Sequence, residues 1–193
     1  SLNKEEELND YTYRVAGCVG EFWTHISLNH LFEVHAAKEA QLFENAVLFG
    51  KALQLINILR DLPEDLRSGR CYIPSTVLAE HNLKPKDLLR QESMVYFQPI
   101  YNSYLKKTVD YFNAAAAYID MLPYNQFRMR GACTLPVIIG LKTVNLLQNQ
   151  NILNHENRIK VSRPDVKLMI RQTALALTSR KRTQKLISVY RDA

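Results

Sequence analysis

Periodicity is the strongest constraint on what this chain can become. From Val34 to Leu62, from Ser93 to Met121 and from Gln126 to Gln148, apolar residues return every three or four positions, and alternating runs of the kind that build strands are almost absent. Such a chain packs as helices, so we expect an all-α bundle. Its 193 residues suffice for one domain with a sizeable core, and a hydrophobic content of 47% argues against global disorder. A first helix is expected from Leu8 to about Leu31, with Glu5 to Glu7 near its start, where acids suit the helix dipole. Pro74 and Ser75 mark a break and a new cap before a short helix over Thr76–His81, Asn82–Pro85 reads as a turn, and Lys86 opens another short helix. The Ser93–Met121 segment should bend near Pro99 and the Gln126–Gln148 segment near Pro136. Asn149–Asn157 is a polar connection, and Val166–Tyr190 is expected as one last helix with Pro164 near its start. Tyr101, Tyr104, Tyr111, Phe112 and Tyr118 read as core anchors.

The end of the second helix carries chemistry. Gln54, Asn57, Asp61 and Asp65 are spaced three, four and four apart, which confines them to an arc of roughly 80° on a helix turning about 100° per residue. Oxygen ligands gathered this way suit Mg²⁺, which is usually held by one or two carboxylates together with substrate phosphates. Arg60 and Arg70 are placed to take phosphate charge through forked hydrogen bonds. Pro63 qualifies the geometry: inside a helix it cannot donate to the Leu59 carbonyl, so the helix must kink or restart there. Asp61-Leu62-Pro63-Glu64 also fits a capping box, in which Asp61 would cap a new helix and bind nothing.

A second notable stretch lies near the N-terminus, where Ala16, Gly17 and Gly20 leave a flat strip on the first helix. Each glycine costs about 1 kcal/mol relative to alanine in a helix interior, so something must approach closely there. The visitor is either a neighbouring helix backbone or a ligand chain. On the second helix Ala46, Gly50 and Gln54 make a similar stripe running from small residues toward the polar end.

Composition narrows the partners. A net charge of +6 and a pI near 9.2 favour anionic partners, but the cations are dispersed and no nucleic-acid reading motif appears, so nucleic acid is not expected. Cys18, Cys71 and Cys133 are an odd, widely separated set without a Cys-x-x-Cys pair, which points to free thiols in a reducing, cytoplasmic compartment. His25, His30 and His35 fall on different helix faces and do not form a zinc pattern. No apolar stretch reads as a membrane span, and the N-terminus carries acids instead of a signal-peptide pattern. Arg180, Lys181, Arg182 and Lys185 lie among Leu177, Leu186, Ile187 and Tyr190, so the last helix is either a solvated basic end or a peripheral membrane contact.

The run Gly50, Gln54, Asn57, Arg60-Asp61, Glu64-Asp65, Arg70, Tyr72 and Pro74 resembles the second aspartate-rich signature of the squalene and phytoene synthase family. Independently, Tyr11-Thr12-Tyr13-Arg14-Val15-Ala16-Gly17-Cys18-Val19-Gly20 resembles that family's tyrosine and Val-Ala-Gly-x-Val-Gly helix. Weaker likeness continues through Leu122-Pro123, the Leu135-Pro136 to Thr143 helix, and Lys160 to Arg163 followed by Val166.

The resemblance implies an isoprenoid-synthase-like helical bundle and head-to-head condensation of two prenyl diphosphates, with farnesyl diphosphate passing through presqualene diphosphate to squalene as the favoured case. It further implies metal coordination by Asn57, Asp61 and Asp65, diphosphate contact by Gln54, Arg60 and Arg70, and a prenyl chain running over Val15, Gly17, Gly20 and Gly50. Tyr11 and Tyr72 would line the reacting centre. Mg²⁺ is the implied cofactor, and use of NADPH is left open because no nucleotide fingerprint is present. Enzymes of this kind resemble one another in carrying a first aspartate-rich helix upstream of the Val-Ala-Gly helix. Here Asp61/Asp65 is the sole Asp-x-x-x-Asp, and Glu6 with Asp10 sits in the wrong place to substitute. The expectation is therefore that residues 1–193 are the C-terminal portion of one longer synthase-like domain, with its N-terminal helices missing, and inactive alone. The alternative implied by the same likeness is a non-catalytic scaffold or assembly factor.

Overall fold

In the computed structural model, residues 2–154 and 159–193 are described. Among them every regular element is helical: α1 (Glu5–Thr12), a π-helical turn (Tyr13–Gly17), α2 (Cys18–His30), α3 (Ala36–Arg67), α4 (Ser75–Glu80), two 3₁₀ turns (Pro85–Leu89 and Gln91–Ser93), α5 (Met94–Met121), α6 (Phe127–Gln148), α7 (Arg163–Ala176) and α8 (Arg180–Arg191). The all-α expectation is met. Part of the expected 149–157 connection lies outside the described residues.

Helix α3 is the axis of the bundle. Its Leu42, Leu55, Leu59 and Leu62 are fully buried against Phe97, Tyr101, Leu105 and Phe112 of α5 and Val137, Leu141 and Val144 of α6. Burying each such side chain stabilises by about 1.5–3 kcal/mol, which outweighs the modest helix propensity of so many aromatic and β-branched residues. By length and composition α3 and α6 are apolar enough to cross a membrane, contrary to the sequence reading, but 56% and 50% of their most apolar windows are buried inside this bundle.

Three boundaries differ from expectation, each for a local reason. The long helix does not stop at Leu62 but runs through Pro63 to Arg67, so Asp61 caps nothing. The carbonyl that Pro63 leaves without its usual donor, that of Leu59, accepts a hydrogen bond from the buried Tyr101 hydroxyl at 3.1 Å. A partner from α5 thus removes the penalty that would have ended the helix. The single last helix is two, because the turn through Thr178 separates α7 from α8 and the Thr183 hydroxyl bonds back to the Ala176 carbonyl across it. The first helix is continuous from Glu5 to His30, yet Tyr13–Gly17 is wound as a π-turn, an extra residue that the apolar spacing did not reveal.

The end of α3 sets the path of the next segment. Gly69 takes φ +75°, its N–H donates to Leu66 O at 3.0 Å, and the Arg70 N–H donates to Asp65 O at 2.8 Å. This is the pattern of a Schellman cap, in which glycine alone adopts the left-handed turn without strain. The chain beyond is then held by the N-terminal segment, with Leu2 N–H on Cys71 O and Ser75 N–H on Leu2 O.

Candidate active site

The two small-residue strips meet each other. A Cβ built on Gly20 would fall 2.1 Å from the Ala46 carbonyl oxygen, and one on Gly50 would fall 2.1 Å from that of Ala16. Gly17 is buried against Tyr13 and Val47. Of the two visitors the sequence left open, a neighbouring helix backbone is present at this crossing, and Gly20 and Gly50 also border the cavity beside it.

Beside that crossing lies a cavity of about 400 Å³. Val15, Ala16, Val19, Gly20 and Trp23 form one wall, and Ala46, Phe49, Gly50 and Leu53 of α3 another. Tyr118 of α5 with Ala132, Cys133 and Pro136 of α6 complete it. Its volume is in the range of ligand sites, and its lining is almost wholly hydrocarbon. The Tyr118 hydroxyl is satisfied by Thr24 Oγ1 at 3.1 Å, and burial pushes its pKa up to about 12. Burial raises the Cys133 thiol to about 12 as well, so it faces the cavity as a neutral apolar group. Gly17 does not reach this lining, whereas Val15, Gly20 and Gly50 do.

Further along the same helices the lining changes character. A second cavity of about 360 Å³ is bounded by Arg60, Asp61 and Glu64 of α3, Ile139 and Thr143 of α6, and Lys160, Val161 and Val166. Gly50 and Asp61 are eleven residues apart on α3, so the apolar and polar cavities are separated by roughly 16 Å of helix. Half-buried Gln54 and Asn57 lie on the helix between them. Lys160 and Glu64 were not singled out by sequence reasoning as site residues; the only available signal for Lys160 was its place in the weaker, downstream part of the family likeness.

The two aspartates have separate partners. Asp61 accepts a forked pair from Arg60, with Nε at 2.8 Å and Nη2 at 2.7 Å, and this contact raises the pKa of Arg60. Asp65 is reached by Arg70, whose Nη2 lies 2.9 Å away and whose Nε donates at 3.0 Å. The Schellman cap explains that pair, because it folds Arg70 back over the last turn of α3. Asp61 therefore opens on the polar cavity, while Asp65 belongs to a neighbouring group with Tyr11, Arg70 and Tyr72. The Tyr11 and Tyr72 rings are stacked with centroids 5.0 Å apart. Interaction with the Tyr72 hydroxyl, then burial and the charge of Asp65, push Tyr11 up to about 12, so its phenol stays protonated across the neutral range.

As a metal site the arrangement offers hard oxygens and little else. No group of three or more His, Cys, Asp or Glu side chains gathers at one point among the described residues. Two carboxylates one turn apart nevertheless match a cation that takes the rest of its ligands from phosphate and water. The donor chemistry fits Mg²⁺, with Arg60 and Arg70 now occupying the oxygens a metal would use.

An all-helical bundle whose axial helix carries a hydrocarbon cavity and then a carboxylate and guanidinium mouth defines a narrow class of proteins. The squalene/phytoene synthase family model matches residues 2–165, and the chain belongs to that family. It is 33% identical to the bifunctional lycopene cyclase/phytoene synthase of Gibberella fujikuroi over 63% of this chain and 21% of that protein. It is 27% identical to the 15-cis-phytoene synthase of Enterobacter agglomerans over 88% of this chain and 54% of that one. A phytoene synthase from Thermus thermophilus is 41% identical over 45% of this chain and 27% of that one. Among solved structures, TcSQS with a bound ligand superposes with a TM-score of 0.83 at 18% identity, covering 98% of this chain and 54% of that one, a likeness of fold. The chain thus spans about half the length of the enterobacterial relative and about a fifth of the fungal one.

Proposed function

We propose that this chain binds a prenyl diphosphate and contributes one wall of a site for head-to-head prenyl condensation. The observation that carries the reading is the sequence of linings along α3 and α6: a hydrocarbon cavity beside Gly50 and Phe49, then a charged one beside Arg60 and Asp61. The prenyl chain occupies the first and the diphosphate reaches the second. Arg60, Arg70 and Lys160 supply cations for an anion whose oxygens gain charge as the C–O bond breaks. Asp61 on the polar cavity and Asp65 one turn on, with Asn57 and Gln54 beside them, would hold Mg²⁺ in place of their present arginine partners, and the metal would supply charge stabilisation to the leaving diphosphate. Tyr11 and Tyr72 stand at the reacting centre, where a protonated phenol donates a hydrogen bond and its ring face steadies a cation. The apolar cavity excludes the water that would quench it.

Squalene-type and phytoene-type outcomes remain equal within this proposal, since the relatives compared by sequence are phytoene synthases and the structural likeness is to TcSQS. Val15, Val19 and Trp23 wall the apolar cavity while staying part exposed, and exposed Phe22 and Ile26 lie beside them on the first helix, so this side of the cavity is open. The non-catalytic reading is favoured by one feature, the closure of each aspartate by an arginine.

Calorimetric titration of the chain with a non-ionisable farnesyl diphosphate analogue, with and without Mg²⁺, separates the two. Catalytic ancestry of the site predicts Mg²⁺-dependent binding that Asp61→Asn weakens about tenfold or more. Binding indifferent to Mg²⁺ and to Asp61→Asn would remove the metal assignment and leave the scaffold. Incubation of this chain alone with farnesyl diphosphate and Mg²⁺ is expected to yield no hydrocarbon.

A further inference from the structure

We propose that the face built from the turn between α5 and α6 and the junction of α7 with α8 docks on an anionic lipid bilayer. Residues 122–131 and 174–185 contain Arg128, Arg130, Arg180, Lys181, Arg182 and Lys185 and not one Asp or Glu. All of these cations except Arg130 are exposed. Among them stand Tyr124 and Phe127, each 55% exposed, and Leu175, 71% exposed. Tyr124, Phe127, Arg128, Leu177 and Thr178 line an open groove of about 650 Å³ there.

The patch is fixed by hydrogen bonds rather than assembled by chance. The Tyr124 hydroxyl donates to Thr178 O at 2.5 Å, Arg182 Nη1 to Thr178 Oγ1 at 3.2 Å, and Arg180 Nη2 to Leu122 O at 3.0 Å. Aromatic and cationic groups therefore share one rim. Of the two readings of the last helix, solvated basic end or membrane contact, the second would not run through its own apolar residues. Ile187 is 3% exposed, and Leu186 and Tyr190 pack on the core, so α8 contributes charge while the neighbouring turn contributes the apolar groups.

A bilayer with acidic headgroups meets both halves of this surface: cations gain from its negative potential, and Tyr and Phe side chains settle at the interface. A nucleic acid would satisfy the charges but leave Phe127 and Leu175 in water. Ala132 lines this groove and also the apolar cavity, so the docked face lies where that cavity comes nearest to lipid. The surface stands on charge and exposure alone and is independent of the catalytic reading.

The test is co-sedimentation of the full chain with vesicles of phosphatidylcholine, alone or mixed with phosphatidylglycerol. Binding is expected only to the mixed vesicles, lost at high salt, and weakened about twenty-five-fold by combined Arg128→Gln and Arg182→Gln, at about fivefold per cation. Location is read by fluorescence quenching with brominated lipid. The native chain has one tryptophan, Trp23, which is 46% exposed on α2. It should stay unquenched, whereas the indole introduced by Phe127→Trp in a Trp23→Phe background should be quenched, a readout that holds even if the double arginine variant fails to fold. Equal binding to neutral vesicles, quenching of Trp23 alone, or binding of a DNA duplex without vesicle binding would each overturn the proposal.

Discussion

The hydroxyl of Tyr101 supplies to the Leu59 carbonyl what Pro63 withholds. That contact is buried, so removing it strands an acceptor away from water. Tyr101→Phe keeps the ring and its packing and should cost about 1–3 kcal/mol in a urea titration, with an unchanged dependence on denaturant concentration. Full retention of stability would mean that the helix carries Pro63 without help. The same pair marks a limit of sequence reading. Pro63 was visible and its local consequence was sound, but the compensating donor comes from a different helix, and no local pattern announces it. Gly69 is the opposite case: a glycine after Arg67 and Ser68 is a local helix-stop signal, and the helix end expected at Leu62 passed it over.

At the level of helices, the crossing between the Val-Ala-Gly segment and α3 is backbone against backbone. Gly50→Ala would put a methyl group into the Ala16 carbonyl, which cannot move as a side-chain tip can, so the helices must part. We expect a loss of about 3 kcal/mol or more, together with altered hydrophobic dye uptake by the adjacent cavity, measured by thermal unfolding and fluorescence. A change below about 0.5 kcal/mol would contradict the crossing. Sequence recovered the overall span of the first helix, and α4, α5 and α6, to within a few residues, because apolar spacing and Pro74 or Leu122-Pro123 mark them. It missed the π-turn because one added residue shifts the register without breaking it, and it fused α7 with α8 because Leu177 sustains the apolar rhythm across the Thr178 turn. The candidate site was legible as residue types. Its division was not, since the spacing of Asp61 and Asp65 places them on one face without saying that different arginines meet them.

Taken as one body, the bundle is sensitive to alkali. Tyr11 and Tyr118 are raised to about 12, and burial also raises Tyr101 and Tyr104. An unfolded chain releases phenolic protons near 10, so above that pH the unfolded state binds fewer protons than the folded one and stability falls as pH rises. Lys51 and Arg130 work in the reverse sense, because burial first lowers both, but the raised phenols and the raised Cys71 and Cys133 thiols outnumber them. Unfolding free energy should begin to fall near pH 9, where the Cys71 and Cys133 thiols of an unfolded chain ionise, and drop more steeply from 10 toward 12 as the phenols join them, as monitored by circular dichroism with urea at each pH. A flat profile through that window would show the phenols to be in ordinary contact with solvent.

The crossing at Gly20 and Gly50 also bears on how such a chamber can be retuned. One edge of it is main chain already at contact distance, and main chain cannot be trimmed by substitution. If the chamber takes a hydrocarbon chain as proposed, adaptation to a longer or shorter one has to act through the walls that do carry side chains, such as Val19 and Trp23 on the first helix, Phe49 and Leu53 on the axial helix and Tyr118 and Cys133 opposite, which makes those positions the ruler of the site.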